Sequence, residues 1–249
     1  MKTVAMIPSR MASSRFPGKP LANISGLPMI EHVRRRVAMA EGLDDIYVAT
    51  CDEAIKKTVE DAGGKAIMTS PDHERCTDRL AEAIEQVDAD VVLNIQGDEP
   101  LIHPEMVQQL IEPFHDPHVQ YVNGVTLIES YEEFTNPNVV KAVINPANDV
   151  IFLSRQPIPN IKQAEFSRHR AYRQTGLMAF RKESLLSFTK LKPTVLEAIE
   201  SVDMLRLIEW GYPIRTQLLR SALIGVDLKE DVAKVESALQ SDPFFPAYS

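Results

Sequence analysis

The sequence has only two cysteines and no apolar run that approaches the length of a membrane span. Cys51 and Cys76 are isolated and lack the spacing of a metal site, so neither a disulfide nor a zinc site is favoured. Reduced thiols in or near the core are expected instead. Met1 leads directly into a short apolar run, without the charged and then apolar segments of a secretory signal. We therefore predict a cytoplasmic protein.

Positive charge is also in short supply. The chain has 27 lysines and arginines against 35 acidic residues, which gives a formal net charge of −8. This balance argues against a general surface for nucleic acid or for an anionic membrane, because both need an excess of cations. Any polyanion that the protein binds should be small and should be met by a local cluster of cations.

Two common nucleotide-binding motifs are absent. Gly18-Lys19 is followed by Pro20, which excludes a P-loop, and no G-x-G-x-x-G follows the first predicted strand. A P-loop kinase and a dinucleotide-binding dehydrogenase are therefore not favoured. The sequence also shows no credible Ser/His/Asp or Cys/His constellation, and its six histidines are scattered without ligand spacing. Chemistry that needs no protein nucleophile is consistent with these absences.

Apolar runs alternate with helical patterns in the order typical of a parallel sheet with crossover helices. Predicted strands cover 4–7, 45–50, 65–68, 90–96, 122–127, 150–153, 172–180 and 214–219. Predicted helices cover 29–40, 52–62, 77–86, 104–114, 182–189, 194–210 and 229–239. These patterns predict an α/β protein with a doubly wound sheet. We expect one domain over 1–249, in which about 128–190 is an elaboration such as a hairpin or a dimerisation arm.

The stretch from 7 to 21 predicts a phosphate-binding loop. It follows a predicted buried strand, so it should lie at the carboxyl end of the sheet, where α/β proteins bind ligands. Prolines and Gly18 prevent a helix until about Met29, which leaves the cations of Arg10, Arg15 and Lys19 free to face a polyanion. A solvated basic loop is the alternative. The concentration of cations here, against the acidic trend of the chain, favours phosphate binding.

Two aspartates follow predicted strands in other parts of the chain. Asp98 lies in Asn-Ile-Gln-Gly-Asp-Glu-Pro, and Asp227 lies in Gly-Val-Asp after the strand at 214–219. Each could bind a hard cation such as Mg²⁺ or could cap the helix that follows. Together with the loop they favour nucleotidyl transfer, in which cations hold a triphosphate and an acceptor hydroxyl attacks the α-phosphate.

These segments closely resemble the CMP-Kdo synthetases, which are CTP:3-deoxy-manno-octulosonate cytidylyltransferases. The resemblance runs over almost the whole chain. It is carried by the segments 7–21, 26–30, 47–50, 63–64, 76–79, 96–100, 136–141, 154–155 and 225–227. It implies a Rossmann-like nucleotidyltransferase fold and, as is usual in the family, a homodimer. The implied reaction uses CTP and Mg²⁺ to make a CMP-sugar acid and pyrophosphate. The product would serve the synthesis of cell-envelope polysaccharide.

The resemblance also implies roles for individual residues. Lys19, Arg10 and Asp98 would be catalytic, and Asp98 and Asp227 would hold Mg²⁺. Gln96 would face the sugar acid near the reacting centre. The substrate-binding residues would be Ser14, Arg15, Thr77, Arg79, Gln96, Arg155, Arg173, Gln174, Glu200 and Asp203.

Some of these roles leave alternatives open. Glu200 and Asp203 are three residues apart and would share one face of the predicted helix 194–210, either as a solvated acidic side or, as the family implies, against sugar hydroxyls. Arg155 suits a bidentate grip on a carboxylate, but it suits a structural ion pair equally well.

The sequence departs from the family pattern near the sugar. Arg75-Cys76-Thr77 replaces the usual Ser-Gly-Thr, Gln174 replaces a histidine, and Met178 replaces a tyrosine. Because buried polar groups discriminate between similar substrates, a modified octulosonate, a nonulosonate or another small acid stays open as acceptor. A GT-A-like glycosyltransferase, which would not release pyrophosphate, is a less favoured alternative. A catalytically silent nucleotide-binding regulator could have lost a metal carboxylate, whereas both aspartates are present.

Overall fold

The computed structural model describes residues 1–13, 15–220 and 224–249. The strands in this part of the chain are β1 (Thr3–Ser9), β2 (Asn23–Ile24), β3 (Leu27–Pro28), β4 (Asp45–Thr50), β5 (Lys65–Met68), β6 (Val91–Asn94), β7 (Tyr121–Leu127), β8 (Lys141–Ile144), β9 (Val150–Ser154), β10 (Tyr172–Arg181) and β11 (Arg215–Leu218). The helices are α1 (Met29–Val37), α2 (Glu53–Asp61), α3 (Cys76–Glu85), α4 (Pro104–Ile111), α5 (Tyr131–Thr135), α6 (Lys182–Phe188), α7 (Val195–Glu200), α8 (Met204–Glu209) and α9 (Asp231–Leu239). None of these helices is long and apolar enough to cross a membrane.

One sheet organises the fold. Its strand order is β11-β7-β10-β6-β1-β4-β5, and the hairpin β8–β9 extends it from β10. Strands β1, β4, β5 and β6 are parallel, and β11 is parallel to β7, whereas β10 is antiparallel to both of its neighbours β6 and β7. The predicted α/β class with a mostly parallel, helix-flanked sheet is confirmed.

β1 lies inside the sheet, between β6 and β4, and every one of its residues is buried. A continuous apolar strand of this kind is typical of a sheet that helices cover on both faces. Val4 and Met6 pack into one core with residues of α3 and α6, while Ala5 and Ile7 pack into the other with residues of α1, α2 and α4. Because β1 and β6 pair in parallel, their carboxyl ends are neighbours at the same end of the sheet, where the loops after the two strands meet.

The single helix predicted over 194–210 is wrong. Ser201 has a φ of +54°, in the left-handed region, and ends α7 before α8 begins at Met204. The break folds α8 back on α7, so that Arg206 reaches the carboxylate of Glu197 at 2.6 and 2.7 Å. Glu200 and Asp203 consequently do not share one helical face, and that prediction is wrong as well.

The segment 128–190 contributes to the sheet in two ways. Its strand β10 lies between β6 and β7, while its hairpin β8–β9 extends the sheet. Around this hairpin, Phe134 of α5 packs with Ile128, Ile161 and Ala171 in a small core of its own. The expected role of the segment in dimerisation stays a prediction.

The buried pair of Glu197 and Arg206 should contribute strongly to stability. Their side chains are only 1% and 6% exposed. Replacing Glu197 with glutamine should lower the free energy of unfolding by about 3 to 5 kcal/mol, because it leaves a buried guanidinium without its counter-charge. Asp61→Asn, which removes an exposed pair with Lys57, should cost less than about 1 kcal/mol. Urea denaturation of both variants measures the difference, and equal costs would contradict the prediction.

The advantage of the wild-type protein over Glu197→Gln should depend on pH. Burial is the largest single effect on the pKa of Glu197 and acts to raise it, but the hydrogen bonds from Arg206 and the Thr194 amide, together with the charges of Arg206 and Arg75, outweigh burial, so the folded pKa lies below its ordinary value. A carboxyl with a lowered folded pKa stabilises the protein above its unfolded pKa of about 4.3, and this stabilisation is lost as the pH falls through the folded pKa. Urea titrations between pH 7 and pH 3 should show the two proteins converging at the acid end.

Candidate active site

A cleft of about 270 Å³ lies at the carboxyl ends of β1 and β6. The loop after β1 lines one side, with Arg10, Arg15 and Lys19, and Gln96 and Asp98 after β6 line the other. The three predicted phosphate-binding cations therefore meet in one cleft. Ser14, predicted to bind substrate in the same loop, lies outside the described residues. A larger groove of about 640 Å³ is found near Met1 and Arg181, remote from these residues.

Lys19 connects the two acidic segments. Gly18 has a φ of +75°, which favours glycine, and it starts the 3-10 turn that carries Lys19. The ammonium of Lys19 donates to Asp98 Oδ2 at 2.7 Å and to the carbonyl of Val226 at 2.7 Å. The side chain is only 12% exposed, so Lys19 belongs to the wall of the cleft and is not a solvated loop cation.

The second pair joins Arg15 and Asp227. Arg15 Nη2 lies 2.9 Å from Asp227 Oδ1, and both side chains are more than half exposed. A main-chain bond of 2.9 Å from Val226 N to Asp98 O fixes the segment of Asp227 against that of Asp98. The two predicted metal carboxylates, from distant parts of the chain, thus lie at one cleft, and each is paired with a loop cation.

Neither aspartate caps a helix. The N-cap of α4 is His103, and the N-cap of α9 is Glu230, with Asp227 lying four residues before α9 begins. The alternative of a helix cap is therefore wrong for Asp98 and for Asp227. Gly97, which precedes Asp98, packs closely against the end of β1. A Cβ there would lie 2.9 Å from the carbonyl of Pro8, so this glycine lets the two loops of the cleft approach each other.

Glu99 is a site residue to which sequence reasoning gave no role, although it lies in the Gln-Gly-Asp-Glu-Pro segment. Within the described part of the chain its Oε2 is buried without a hydrogen-bond partner, and its Oε1 lies 3.1 Å from the position that a Cβ on Gly225 would take. Burial raises the pKa of Glu99 to about 8, and the nearby carboxylates of Asp98 and Asp227 act in the same direction. The cleft therefore holds more acidic groups than it can charge at once without added cations.

A smaller pocket of about 70 Å³ adjoins the cleft. It is lined by Ser9, Arg10, His73, Cys76 and Arg79, among others. Arg79 is buried and donates from Nη1 to the carbonyl of Ser70 at 3.2 Å, but its Nη2 and the hydroxyl of Ser9 have no partner in the described residues. Unpaired buried donors beside a small pocket can serve a polar ligand group. This pocket gives predicted residue Arg79 a concrete place in the site.

Cys76 lies at the junction of the two pockets, whereas a position in or near the core was expected. Enclosure by the cleft raises the pKa of its thiol to about 11, with further contributions from Asp203 and Asp98. The thiol therefore stays protonated at neutral pH, which makes it a poor nucleophile.

Gln96 lines the cleft beyond the acidic residues, while Thr77, which follows the lining residue Cys76, is buried against Asp203. Gln96 Nε2 donates to the carbonyl of Gly176 at 3.2 Å, and Thr77 donates to Asp203 Oδ2 at 3.1 Å. A Cβ on Gly176 would lie 2.4 Å from Gln96 Cγ, so the glycine makes room for this side chain. Three of the predicted acceptor-side residues are thus placed near the cleft by α3 and β6 and by the turn before α8.

Other predicted residues are engaged with the protein itself. Gln174 donates to Asn123 Oδ1 at 2.6 Å, and Met178 is buried in the core. Arg173 pairs with Glu133 at 3.0 Å. These residues of β10 support the sheet beneath the site.

Arg155 and Glu200 hold each other. Both oxygens of Glu200 accept hydrogen bonds, from the hydroxyl of Ser154 at 2.6 Å and from the amide of Arg155 at 2.8 Å. The guanidinium of Arg155 in turn donates to the carbonyl of Glu200 at 2.7 Å. The structure thus gives both residues structural partners, and these bonds fix the turn between α7 and α8.

Comparisons with known proteins agree with this arrangement. The family model for cytidylyltransferases matches residues 4–218. A 3-deoxy-manno-octulosonate cytidylyltransferase from Myxococcus xanthus is 44% identical over 241 residues, which cover 96% of this chain and 97% of the relative. A solved structure of CMP:2-keto-3-deoxy-manno-octonic acid synthetase complexed with CTP matches with a TM-score of 0.91 at 39% identity, over 96% of this chain and 99% of the other.

A more distant structure shares the fold alone. The 4-diphosphocytidyl-2C-methyl-D-erythritol synthase from Anaerococcus prevotii is 17% identical, with a TM-score of 0.64 over 96% of this chain and 99% of the other. The Rossmann-like nucleotidyltransferase fold that the sequence predicted is therefore confirmed. From the match of the family model over most of its length and from its close full-length relatives, the chain belongs to the cytidylyltransferase family.

Proposed function

We propose that this cytidylyltransferase moves CMP from CTP to the anomeric hydroxyl of 3-deoxy-manno-octulosonate and releases pyrophosphate, for cell-envelope polysaccharide. The observation that carries the proposal is the pairing of two loop cations with two carboxylates in one cleft, Lys19 with Asp98 and Arg15 with Asp227. Cations for a triphosphate beside carboxylates for a metal ion are the parts that nucleotidyl transfer needs. The names of the full-length relatives support this acceptor.

The adjoining pocket supports a pyrimidine donor. Its volume of about 70 Å³ is small, and Arg79 and Ser9 present unpaired polar atoms there. In this proposal the cytosine ring occupies the pocket, which places the triphosphate over Arg10, Arg15 and Lys19. Those cations neutralise the phosphate oxygens and stabilise the charge that develops on the leaving pyrophosphate.

The site residues also fit a divalent cation, for which we propose Mg²⁺. Asp98 and Asp227 offer hard oxygen ligands, and a main-chain bond fixes the segments that carry them. The described residues contain no group of three or more metal-ligating side chains, so phosphate oxygens and water would complete the coordination, as is usual for Mg²⁺. When bound, such an ion would withdraw charge from the α-phosphate.

The acceptor side is proposed to lie between Gln96, Thr77 and Asp203. Gln96 would orient the sugar acid, and the fixed turn of Arg155 and Glu200 would shape the far wall. Arg173 and Gln174 would act indirectly from β10, Arg173 by its ion pair with Glu133 and Gln174 by its hydrogen bond to Asn123. We also propose a cytoplasmic homodimer of single-domain subunits, whose contact involves the segment 128–190.

Pyrophosphate release tests both substrates. We expect release from CTP with 3-deoxy-manno-octulosonate and Mg²⁺, much less from UTP or GTP, and almost none in excess chelator. The acceptor panel should include amino-substituted, deoxy and nine-carbon acids, because Gln174 and Met178 depart from the family pattern. If one of these acids had a kcat/KM about tenfold or more above that of 3-deoxy-manno-octulosonate, that acid would be the acceptor instead. The proposed cytidylyl transfer would still hold. Equal turnover in excess chelator would contradict the metal.

A further inference from the structure

Both proposed metal carboxylates are already neutralised by cations that the proposed function assigns to the triphosphate. Lys19 Nζ lies 2.7 Å from Asp98, and Arg15 Nη2 lies 2.9 Å from Asp227. We propose that Lys19 and Arg15 occupy the place of the divalent cation in the nucleotide-free protein and exchange their carboxylates for phosphate when CTP binds. This inference rests on the proposed function, and it makes the binding of nucleotide and metal ion cooperative beyond their affinity for each other in solution.

The Lys19 pair should dominate the exchange. Its ammonium has three protons to donate, and two of them are used by Asp98 and by the carbonyl of Val226. The Lys19 side chain is 12% exposed and that of Asp98 is 35% exposed, whereas Arg15 and Asp227 are 63% and 57% exposed. Because water screens the second pair, its contribution should be the smaller of the two.

Neither ligand alone leaves the cleft neutral. A triphosphate that draws Lys19 and Arg15 away leaves Asp98 and Asp227 without counter-ions, close to the buried carboxyl of Glu99. A divalent cation alone must displace the ammonium from Asp98, which would leave Lys19 with the Val226 carbonyl only. When both ligands are bound, Lys19 and Arg15 face phosphate oxygens, and Asp98 and Asp227 face the divalent cation, so that each of the four charges is balanced. Coupling of this kind must act equally on the two affinities.

The first experiment measures Mn²⁺, as a probe of the metal site, by isothermal titration in the absence of nucleotide. Lys19→Met should bind Mn²⁺ about tenfold more tightly than the wild-type protein, because Asp98 is no longer occupied by an ammonium. Lys65→Met is the matched control, since it removes the lysine that pairs with Asp45 at 2.6 Å outside the cleft. That control should bind Mn²⁺ as the wild type does. Unchanged affinity in Lys19→Met would overturn the proposal.

The second experiment separates exchange from simple repulsion by Asp98. Metal-free CTP is titrated in excess chelator into the wild-type protein, Asp98→Asn, Lys19→Met and the double variant. Asp98→Asn should tighten CTP binding about tenfold when Lys19 is present, because the freed ammonium is then available to phosphate. In the Lys19→Met background the same replacement should change CTP binding less than about twofold. Equal tightening in both backgrounds would mean that Asp98 only repels CTP, and the exchange would be wrong.

A second cycle on Arg15 and Asp227 repeats the test on exposed side chains that are not needed for folding. The changes in CTP affinity should have the same direction as in the first cycle but should be smaller. If the changes in CTP affinity were additive in both cycles, the proposal would be overturned. Wild-type protein that binds CTP in the presence of Mg²⁺ but shows no coupling in either cycle contradicts this inference alone. Wild-type protein that binds neither CTP nor Mn²⁺ overturns the proposed function and this inference together.

Discussion

Asp98→Asn is expected to lower kcat by about a thousandfold while the protein stays folded. The amide keeps the shape of the side chain but loses the charge that would hold a divalent cation against the α-phosphate, a contribution of several kcal/mol. Asp98 is partly exposed at the end of β6, outside both main cores, so its replacement should leave the melting temperature nearly unchanged. Pyrophosphate release under saturating CTP and acceptor measures the effect.

Asp88→Asn is the control for Asp98→Asn. Asp88 is 93% exposed and pairs with Lys2, away from the residues that line the cleft. Its replacement should leave kcat unchanged. A kcat for Asp98→Asn within tenfold of the wild-type value, at saturating substrates, would remove Asp98 from the metal site and with it the proposed mechanism.

Lys19→Met is expected to lower kcat by about a hundredfold to a thousandfold. A preorganised cation in a cleft stabilises developing phosphate charge, and the loss of one such group typically has this size. Methionine keeps the aliphatic stem that fills the wall of the cleft, so the melting temperature should change little. Thermal unfolding and steady-state kinetics on the same preparation compare the two effects.

The control for Lys19→Met is again Lys65→Met, which loses an ion pair to Asp45 on the sheet edge. Kinetics of this control should match the wild type. If Lys19→Met turned over normally, the lysine would serve only to fix the segment of Val226, and the phosphate-binding role of the loop would rest on Arg10 and Arg15 alone.

Much of the fold could be predicted because its signals are local. The buried run of β1 and the periodic apolar positions of α1 to α4 indicate helices on both sides of a parallel sheet. The loop from 7 to 21 could be predicted as a phosphate-binding loop for the same reason. Its cations, prolines and Gly18 lie within a few residues of one another, directly after a strand.

The break between α7 and α8 could not be predicted from the same kind of signal. The apolar pattern of 194–210 is helical throughout, and Ser201 carries no strong preference for a left-handed φ. The turn is stabilised by contacts that the linear pattern does not show, namely the buried bond of Arg206 to Glu197 and the bond of Thr77 to Asp203. Tertiary contacts overrode local propensity here.

Partners of polar side chains were equally hidden. Residue types alone do not tell whether Arg155 grips a ligand or a neighbouring carbonyl, and the structure gives it the carbonyl of Glu200. Gln174 likewise has a protein partner in the buried Asn123. Glu99 has the opposite property, because its Oε2 is buried and has no hydrogen-bond partner among the residues that the structure describes.

The bond between Lys19 and the Val226 carbonyl also determines when the site forms during folding. Its two ends are 207 positions apart in the chain, and closing such a long loop is slow compared with forming local helices and hairpins. The C-terminal region is fastened to α1 as well, since the hydroxyl of Tyr248 bonds to His32 and Arg36 and Asp242 pairs with Arg36. During synthesis the strands up to β10 can therefore pair before the cleft has its second carboxylate, whereas β11 is made only shortly before it. A nascent chain that has not yet released its last residues should be compact and protease-resistant but unable to use CTP.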